Sequence, residues 1–197
     1  MCDKDCMDFA RKSIFREMVQ GKNIIEFGSS NYNGTVKTHV MKYNPVSYLG
    51  CDIQDGVDVD KVCDVLNALD EFEPYSFDMV ISTEMLEHIE RWGKAVWNMK
   101  MLVKPGGYIL LTTRSKGFYY HSEYGCEDYW RFSADVLIRA FNDFEIINAE
   151  TDPIECGAYI FARRLLDGRM ASQPEPVDKS ITLQQMLCDK EIKINNR

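Results

Sequence analysis

Three side chains of this sequence, His39, His88 and His121, titrate near neutrality without help and are the candidates for taking a proton from a reacting group. His88 closes the segment TEMLEH and His121 lies in FYYHSEYG, each just beyond an apolar run, which is where a side chain meets a cleft rather than a core. Acids recur in similar places. Glu26 lies in the apolar run Asn23 to Phe27, Asp52 ends Val46 to Ile53, Asp64 follows Lys61-Val62-Cys63, and Glu84 and Glu87 follow the run Ser76 to Ser82. The seven cysteines, at 2, 6, 51, 63, 126, 156 and 188, are odd in number and form no C-x-x-C pair, so they read as reduced thiols rather than as a disulfide framework or a zinc finger.

The elements that must hold these groups follow from periodicity. Phe9, Ile14, Phe15, Met18 and Val19 at helical spacing predict a lead-in helix over residues 6–20, stopped by Gly21. Asn23 to Phe27 is a buried strand that runs through the loop GSSNYNG into a helix from about Thr35 to Met41, an order that cradles ligands. Two further strands, Val46 to Ile53 and Lys61 to Cys63, each finish at an acid. Ser76 to Ser82 is the clearest buried strand. Trp92, Ala95, Val96, Met99, Leu102 and Val103 then mark one apolar face of a helix that Pro105-Gly106-Gly107 ends. Tyr108 to Thr113 is the next strand, followed by a polar and aromatic loop over 114–132 and a helix from Ser133 to Phe141 with Ser133 as its N-cap. Phe144 to Ala149 and Ala158 to Arg163 close the sheet edge. This alternation predicts an α/β fold, a doubly wound, mostly parallel sheet of about seven strands with helices on both faces and a terminal pair that is antiparallel. Ligands in such sheets sit at the carboxyl ends of the strands, where these acids and histidines lie.

The chain has 197 residues, 45% of them hydrophobic, so one domain over 1–164 with a C-terminal tail over 165–197 is expected, the tail holding at most one helix around Ile181 to Asp189. With 23 basic against 31 acidic residues the formal charge is -8, and no long Lys/Arg run is present. Duplex nucleic acid and anionic membrane surfaces are therefore excluded as main partners. The first ten residues have no apolar signal region and no later stretch reaches about 18 uninterrupted apolar residues, so the expectation is a soluble, cytoplasmic protein.

Glu26, Gly28 and Gly34 with Asp52 at the next strand's end are like a dinucleotide site, in which an acid binds ribose hydroxyls. The loop has Ser30 where the second glycine of G-x-G-x-x-G would let backbone approach a pyrophosphate, and no G-K-[ST] follows, so a nucleoside without phosphates fits better. With these residues in place the sequence resembles the class I S-adenosylmethionine-dependent methyltransferases, small single-domain enzymes with a Rossmann-like sheet. The resemblance runs over about residues 22–113 and rests on Glu26/Gly28/Gly34, Asp52, Asp64-Val65, Thr83 to His88 and Leu102-Val103-Lys104-Pro105-Gly106-Gly107. The departure is the first loop, GSSNYNG in place of G-x-G-x-G.

The resemblance implies a site for S-adenosylmethionine and its product S-adenosylhomocysteine formed by Glu26, Gly28, Ser29, Gly34, Asp52, Ile53, Asp64, Val65, Thr83 and Glu84. Asp52 would accept both ribose hydroxyls, and Glu26 would supply negative potential near the sulfonium and amine end or else cap the following helix. Asp64 would receive the adenine amino group or cap the helix starting at Val65, and Ile53 would pack on adenine or in the core. His121 or His88 would be the base for a hydroxyl acceptor, unless His88 simply packs at a helix start. The aromatic loop, with Phe118, Tyr119, Tyr120, Tyr124, Tyr129, Trp130 and Phe132, would form the pocket of a small-molecule acceptor or a structural plug in which Arg131 pairs with a carboxylate. Family members with a block like Asp128 to Phe132 modify saccharides or secondary metabolites. Glu84-x-x-Glu87-His88 with His121 also resembles the metal pattern of small-RNA 3′-end 2′-O-methyltransferases, which implies Mg²⁺ or Mn²⁺ in place of the metal-free site expected. Two further readings compete with methyl transfer. An inactive scaffold protein of the same fold would be favoured by loss of Asp52 or the Gly28 loop, and both are present. A nicotinamide-dependent reductase would need the pyrophosphate glycines that this loop lacks.

Overall fold

The computed structural model of the chain describes residues 4–121, 126–167 and 170–174. The expected tail helix over 181–189 lies outside them, as does Tyr124 of the aromatic loop.

The amphipathic helix α1 (Lys4–Ser13) buries Cys6, Phe9 and Ala10, and the short α2 (Arg16–Val19) follows. The single lead-in helix expected over 6–20 is thus split, because Phe15 takes extended backbone (φ -118°, ψ 166°) and the kink turns both Ile14 and Val19 inward while Phe15 stays exposed. Then come β1 (Asn23–Phe27), α3 (Lys37–Met41), β2 (Ser47–Asp52), β3 (Lys61–Val62), a 3-10 turn over Val65–Asn67, α4 (Ala68–Glu71) and β4 (Phe77–Thr83). A second 3-10 turn, Leu86–His88, leads to α5 (Trp92–Leu102), β5 (Val103–Arg114), α6 (Ala134–Ala140), β6 (Phe144–Asp152) and β7 (Gly157–Arg164).

Pro105-Gly106-Gly107 lies within β5 rather than only ending α5. The pairing shifts register between Phe77 and Met79, which absorbs these residues as a bulge. Gly106 there has φ +78°, and a Cβ on Gly107 would come 2.7 Å from the carbonyl of Asp78, so neither position readily takes a side chain.

The seven strands lie in the order β3-β2-β1-β4-β5-β7-β6. The first five are parallel, and β7 is antiparallel to both β5 and β6. The terminal pair β6 and β7 is antiparallel, as expected, and β7 alone runs against the other strands. Alternation along the central strands divides the core in two. Ile25, Val80, Ile109 and Leu111 pack with Ala95, Val96, Met99 and Leu102 of α5 on one face, while Ile24, Met79, Ile81 and Leu110 pack with Phe9, Ile14, Val36 and Val40 on the other. The doubly wound fold read from the sequence is the fold observed, and it brings the ends of β1, β2, β4 and β5 to one edge.

Candidate functional site

A cavity of about 340 Å³ opens at that edge. All ten residues expected to hold a cofactor, Glu26, Gly28, Ser29, Gly34, Asp52, Ile53, Asp64, Val65, Thr83 and Glu84, line it together with His88 and His121. His39 does not; its Nε2 lies 3.1 Å from the Ile14 carbonyl and its ring meets Tyr43 edge on.

The floor is built from β1 and β2. Glu26, within β1 and 2% exposed, accepts a hydrogen bond from Tyr48 Oη at 2.5 Å. It does not cap α3, whose N-cap residue is Val36 and which has no side-chain cap. Beyond β1 the backbone turns at Gly28 (φ +77°), where a Cβ would sit 2.8 Å from the Met85 Cβ, so glycine is required for both conformation and room. Gly28 and Ser29 both donate their N–H to the Cys51 carbonyl.

The GSSNYNG loop is fastened by polar groups. Asp52 accepts from the backbone N–H of Ser30 and of Gln54, each at 3.2 Å. Ser29 Oγ donates to the Asp58 carbonyl at 3.3 Å, and Asn31 Nδ2 to the Asp58 carboxylate at 2.9 Å. Ile53 is 59% exposed at the cavity rim, so it does not pack in the core. Asp64 does cap its turn, accepting from Leu66 N at 2.8 Å, and also lines the cavity.

The opposite wall comes from the segments after β4 and β5. Glu84 takes a left-handed backbone (φ +51°) and its carboxylate pairs with Arg114 Nε at 2.5 Å in a buried contact. Glu87 is fully buried; its Oε2 accepts from Thr113 Oγ1 at 2.8 Å and its Oε1 has no hydrogen-bond partner among the described residues. His88 and His121 meet edge on at 4.8 Å between ring centroids. One donor atom each from Glu87, His88 and His121 lies within 4.8 Å of the others, so these three could hold a metal ion, whereas Glu84, turned to Arg114, stands apart from them.

His121 is 6% exposed and stands beside Asp128, its Nδ1 3.1 Å from Asp128 Oδ2. Arg131 binds both Asp128 oxygens, at 2.5 and 2.6 Å. Burial opposes ionisation of Asp128, but the hydrogen bonds from Arg131 and then from His121 outweigh it and hold the carboxyl well below the usual carboxylate range. The cavity-lining thiols go the other way: burial raises Cys63, and burial followed by the nearby Asp52 raises Cys126, so neither is an activated nucleophile.

Sequence reasoning passed over Tyr48, whose approach to Glu26 follows from the pairing of Glu26 with Gly50 two residues along, and over Asp58, whose tie to Asn31 depends on a loop fold that no periodicity marks. Met85, Ile89, Cys126 and Glu127 also line the cavity, and their neighbours in the sequence were the available signal.

Residues 7–147 match the family described as methyltransferase domain. The chain is 31% identical over 94 residues to the ubiquinone biosynthesis O-methyltransferase of Burkholderia vietnamiensis, covering 47% of this chain and 39% of that protein. The homologue from Burkholderia cenocepacia is similar at 30% identity over the same length, so the chain spans about two fifths of the curated relatives it matches. Among solved structures, the Burkholderia thailandensis 1,6-didemethyltoxoflavin-N1-methyltransferase, with bound 1,6-didemethyltoxoflavin and S-adenosylhomocysteine, shares the fold with a TM-score of 0.63 at 14% identity, over 83% of this chain and 80% of that one. An S-adenosylmethionine-dependent methyltransferase from Mesorhizobium loti shares it with a TM-score of 0.59 at 15% identity, over 80% and 96%. With the family matched over well beyond half its length and the sheet in the order observed, the chain belongs to the methyltransferase domain family and has the class I S-adenosylmethionine-dependent methyltransferase fold.

Proposed function

We propose that the chain binds S-adenosylmethionine in this cavity and transfers its methyl group to a small-molecule acceptor, a hydroxyl or amine of a saccharide or secondary metabolite. The observation that carries the reading is the convergence of Glu26, Asp52 and Asp64, from three successive strand ends, on one cavity with the apolar Ile53 at its rim. Asp52 faces a ribose diol as an acceptor-only group, already aligned by Ser30 and Gln54. Ile53 covers one face of the adenine, and Asp64 and Val65 its edge. Glu26, buried and held by Tyr48, places negative charge by the cationic end of the ligand.

When bound, S-adenosylmethionine supplies an electrophilic methyl carbon. The protein's own part is to align the acceptor, exclude water and, for an acceptor that must lose a proton, receive it at His121 or His88. The aromatic loop supports a ring-shaped acceptor, since Tyr129 lines the cavity and Phe118 and Tyr119 stack against one another beside His121.

A second reading, metal-assisted transfer to an RNA 2′-hydroxyl, is favoured by the clustering of Glu87, His88 and His121 and opposed by the net charge of -8. The scaffold reading has against it the retained Asp52 and Gly28 loop. Incubation with methyl-tritiated S-adenosylmethionine and a panel of saccharides and phenols tests the proposal. Label in an organic acceptor supports it, and label only in a short RNA, dependent on Mn²⁺, moves the function to the second reading.

A further inference from the structure

Charge in the cavity is one-sided. Its charged lining is Glu26, Asp52, Asp64, Glu84 and Glu127, and among the described residues no lysine or arginine lines it. The arginines that reach this wall are already paired, Arg114 with Glu84 and Arg131 with both oxygens of Asp128. Glu26, Asp52 and Asp64 are the acids given above to the cofactor, whereas Glu127 comes from the aromatic loop, beside His88. A cleft lined by one sign of charge focuses its field on whatever enters, so a charge at its mouth acts together with those inside.

Glu127 is exposed at the cavity mouth, yet its position is fixed. Its carbonyl accepts from His88 Nδ1 at 2.8 Å, and its Oε2 accepts from Tyr120 Oη at 3.0 Å. Just along the chain, the N–H groups of Tyr129 and Trp130 donate to the Glu87 carbonyl at 2.8 and 3.2 Å. What meets the Glu127 carboxylate is thus a phenol hydroxyl rather than a cation. Glu87, fully buried, keeps Oε1 without a hydrogen-bond partner among the described residues, and one of its oxygens lies within 4.8 Å of a ring nitrogen of His88 and of His121. Two carboxylates without a matching cation therefore flank the cavity histidines. An acceptor left unpaired on burial costs free energy, and another anion brought beside these groups costs more, so this wall favours a ligand that supplies hydrogens and positive charge.

We propose that the methyl acceptor carries a basic amine, held as its ammonium ion by Glu127, and no carboxylate, phosphate or sulfate group. Glu127 is then a specificity-determining residue: it attracts the cationic arm and, with the other acids of the cavity, turns anionic analogues away. The choice follows from charge and is the same whether the amine or a hydroxyl of the acceptor receives the methyl group.

The inference rests on the proposed function in taking this cavity as the place where cofactor and acceptor meet, and the two fail separately. Tyramine, tyrosol and 4-hydroxyphenylacetate carry an ammonium, a hydroxyl and a carboxylate on the same phenol. Their binding to the full chain with S-adenosylhomocysteine is read by ligand-observed NMR, with EDTA present and at about pH 8, above the ordinary range of imidazole, so that neither a metal ion nor a histidine supplies positive charge. Tyramine is expected to bind about three- to tenfold tighter than 4-hydroxyphenylacetate, with tyrosol between, the size expected of a solvent-exposed charge at a cleft mouth, and rising salt should narrow the gap. Glu127→Gln should remove most of the gap and Glu127→Lys should reverse it. In the wild type, equal binding of the three, no binding of any, or a preference for the carboxylate overturns the proposal whatever the variants do. Binding of 4-hydroxyphenylacetate that appears when Mn²⁺ replaces EDTA also overturns it, since an anion would then be taken through a metal. An unchanged gap in Glu127→Gln overturns the assignment to Glu127. Retained binding of S-adenosylhomocysteine beside any such result leaves the methyltransferase reading standing, and a tyramine preference in a chain that does not bind S-adenosylhomocysteine overturns that reading alone.

Discussion

Asn31 donates its side-chain amide to Asp58 at 2.9 Å, joining the loop after β1 to the loop between β2 and β3. Asp58 adopts φ +67° to do so, and its carboxylate also lies 3.5 Å from Lys37 Nζ. A glycine-rich loop positions its backbone by close approach, whereas GSSNYNG is positioned by side chains that reach a neighbouring loop. Removing the link in Asp58→Ala should lower thermal stability by about 1–2 kcal/mol and weaken S-adenosylhomocysteine binding in proportion, with Asp58→Asn closer to wild type. Calorimetric titration of both variants checks this, and unchanged affinity in Asp58→Ala would mean that the loop holds its shape without the tie.

Gly28→Ala meets two obstacles at once, a left-handed backbone and a Cβ only 2.8 Å from that of Met85. The expected cost is about 1–3 kcal/mol of stability together with loss of cofactor binding. Gly93→Ala, where nothing lies within 4 Å of the added carbon, is the control and should melt as wild type or higher.

Asp128 gives the protein a defined response to acid. Its folded carboxyl titrates below the ordinary value of 3.8, so its contribution to stability is complete above that value and is lost as pH falls through the range beneath it. Chemical denaturation from pH 6 downward should show wild type losing more stability than Asp128→Asn, which has no carboxyl to protonate at that position. Equal slopes would remove the Arg131 pairing as a source of stability.

Several features of this molecule were legible in the sequence because they are local. The unbroken apolar run of β4 and the helical spacing from Trp92 to Leu102 each fix an element through its own residues, and acids at the strand ends follow from where strands stop. The β5 bulge was not legible, since Pro105-Gly106-Gly107 serves as well to end a helix as to bend a strand. Nor was the pairing of Glu84 with Arg114, which depends on residues from adjacent strands and turned one member of the apparent Glu-x-x-Glu-His set away from the other two. Asp128 and Arg131 were visible as a charged pair in an aromatic block, but their hold on His121 requires the loop's path.

The boundary expected after Arg164 bears on Lys100, which is fully buried with Nζ bonded to the Ala140 and Ser172 carbonyls and paired with Asp143. Ala171 is buried and Ser172 N donates to Asp143 at 2.8 Å, so the Ser172 backbone is tied both to Lys100 of α5 and to the turn after α6. A chain ending after Arg164 should melt lower than one ending after residue 174, having left a buried ammonium short of one acceptor. Identical melting of the two would place the boundary at Arg164.

Turnover separates alignment from proton transfer. With an acceptor returned by the labelling panel, His121→Ala should lower the rate by about two to four powers of ten while S-adenosylhomocysteine affinity stays within about twofold of wild type. His88→Ala is the comparison: a larger loss there, with His121→Ala near wild type, would transfer the base to the turn after β4.

Strand-end acids that hold a nucleoside cofactor are the centre of this mechanism, and calorimetric titration of S-adenosylhomocysteine into wild type and Asp52→Ala tests them most directly. The wild type is predicted to bind saturably and one to one, with no heat from a nicotinamide dinucleotide, and Asp52→Ala to bind more weakly by about 1.5–3 kcal/mol, as for hydrogen bonds lost to a charged group. Absence of binding by the wild type, or equal affinity in the two proteins, would contradict it.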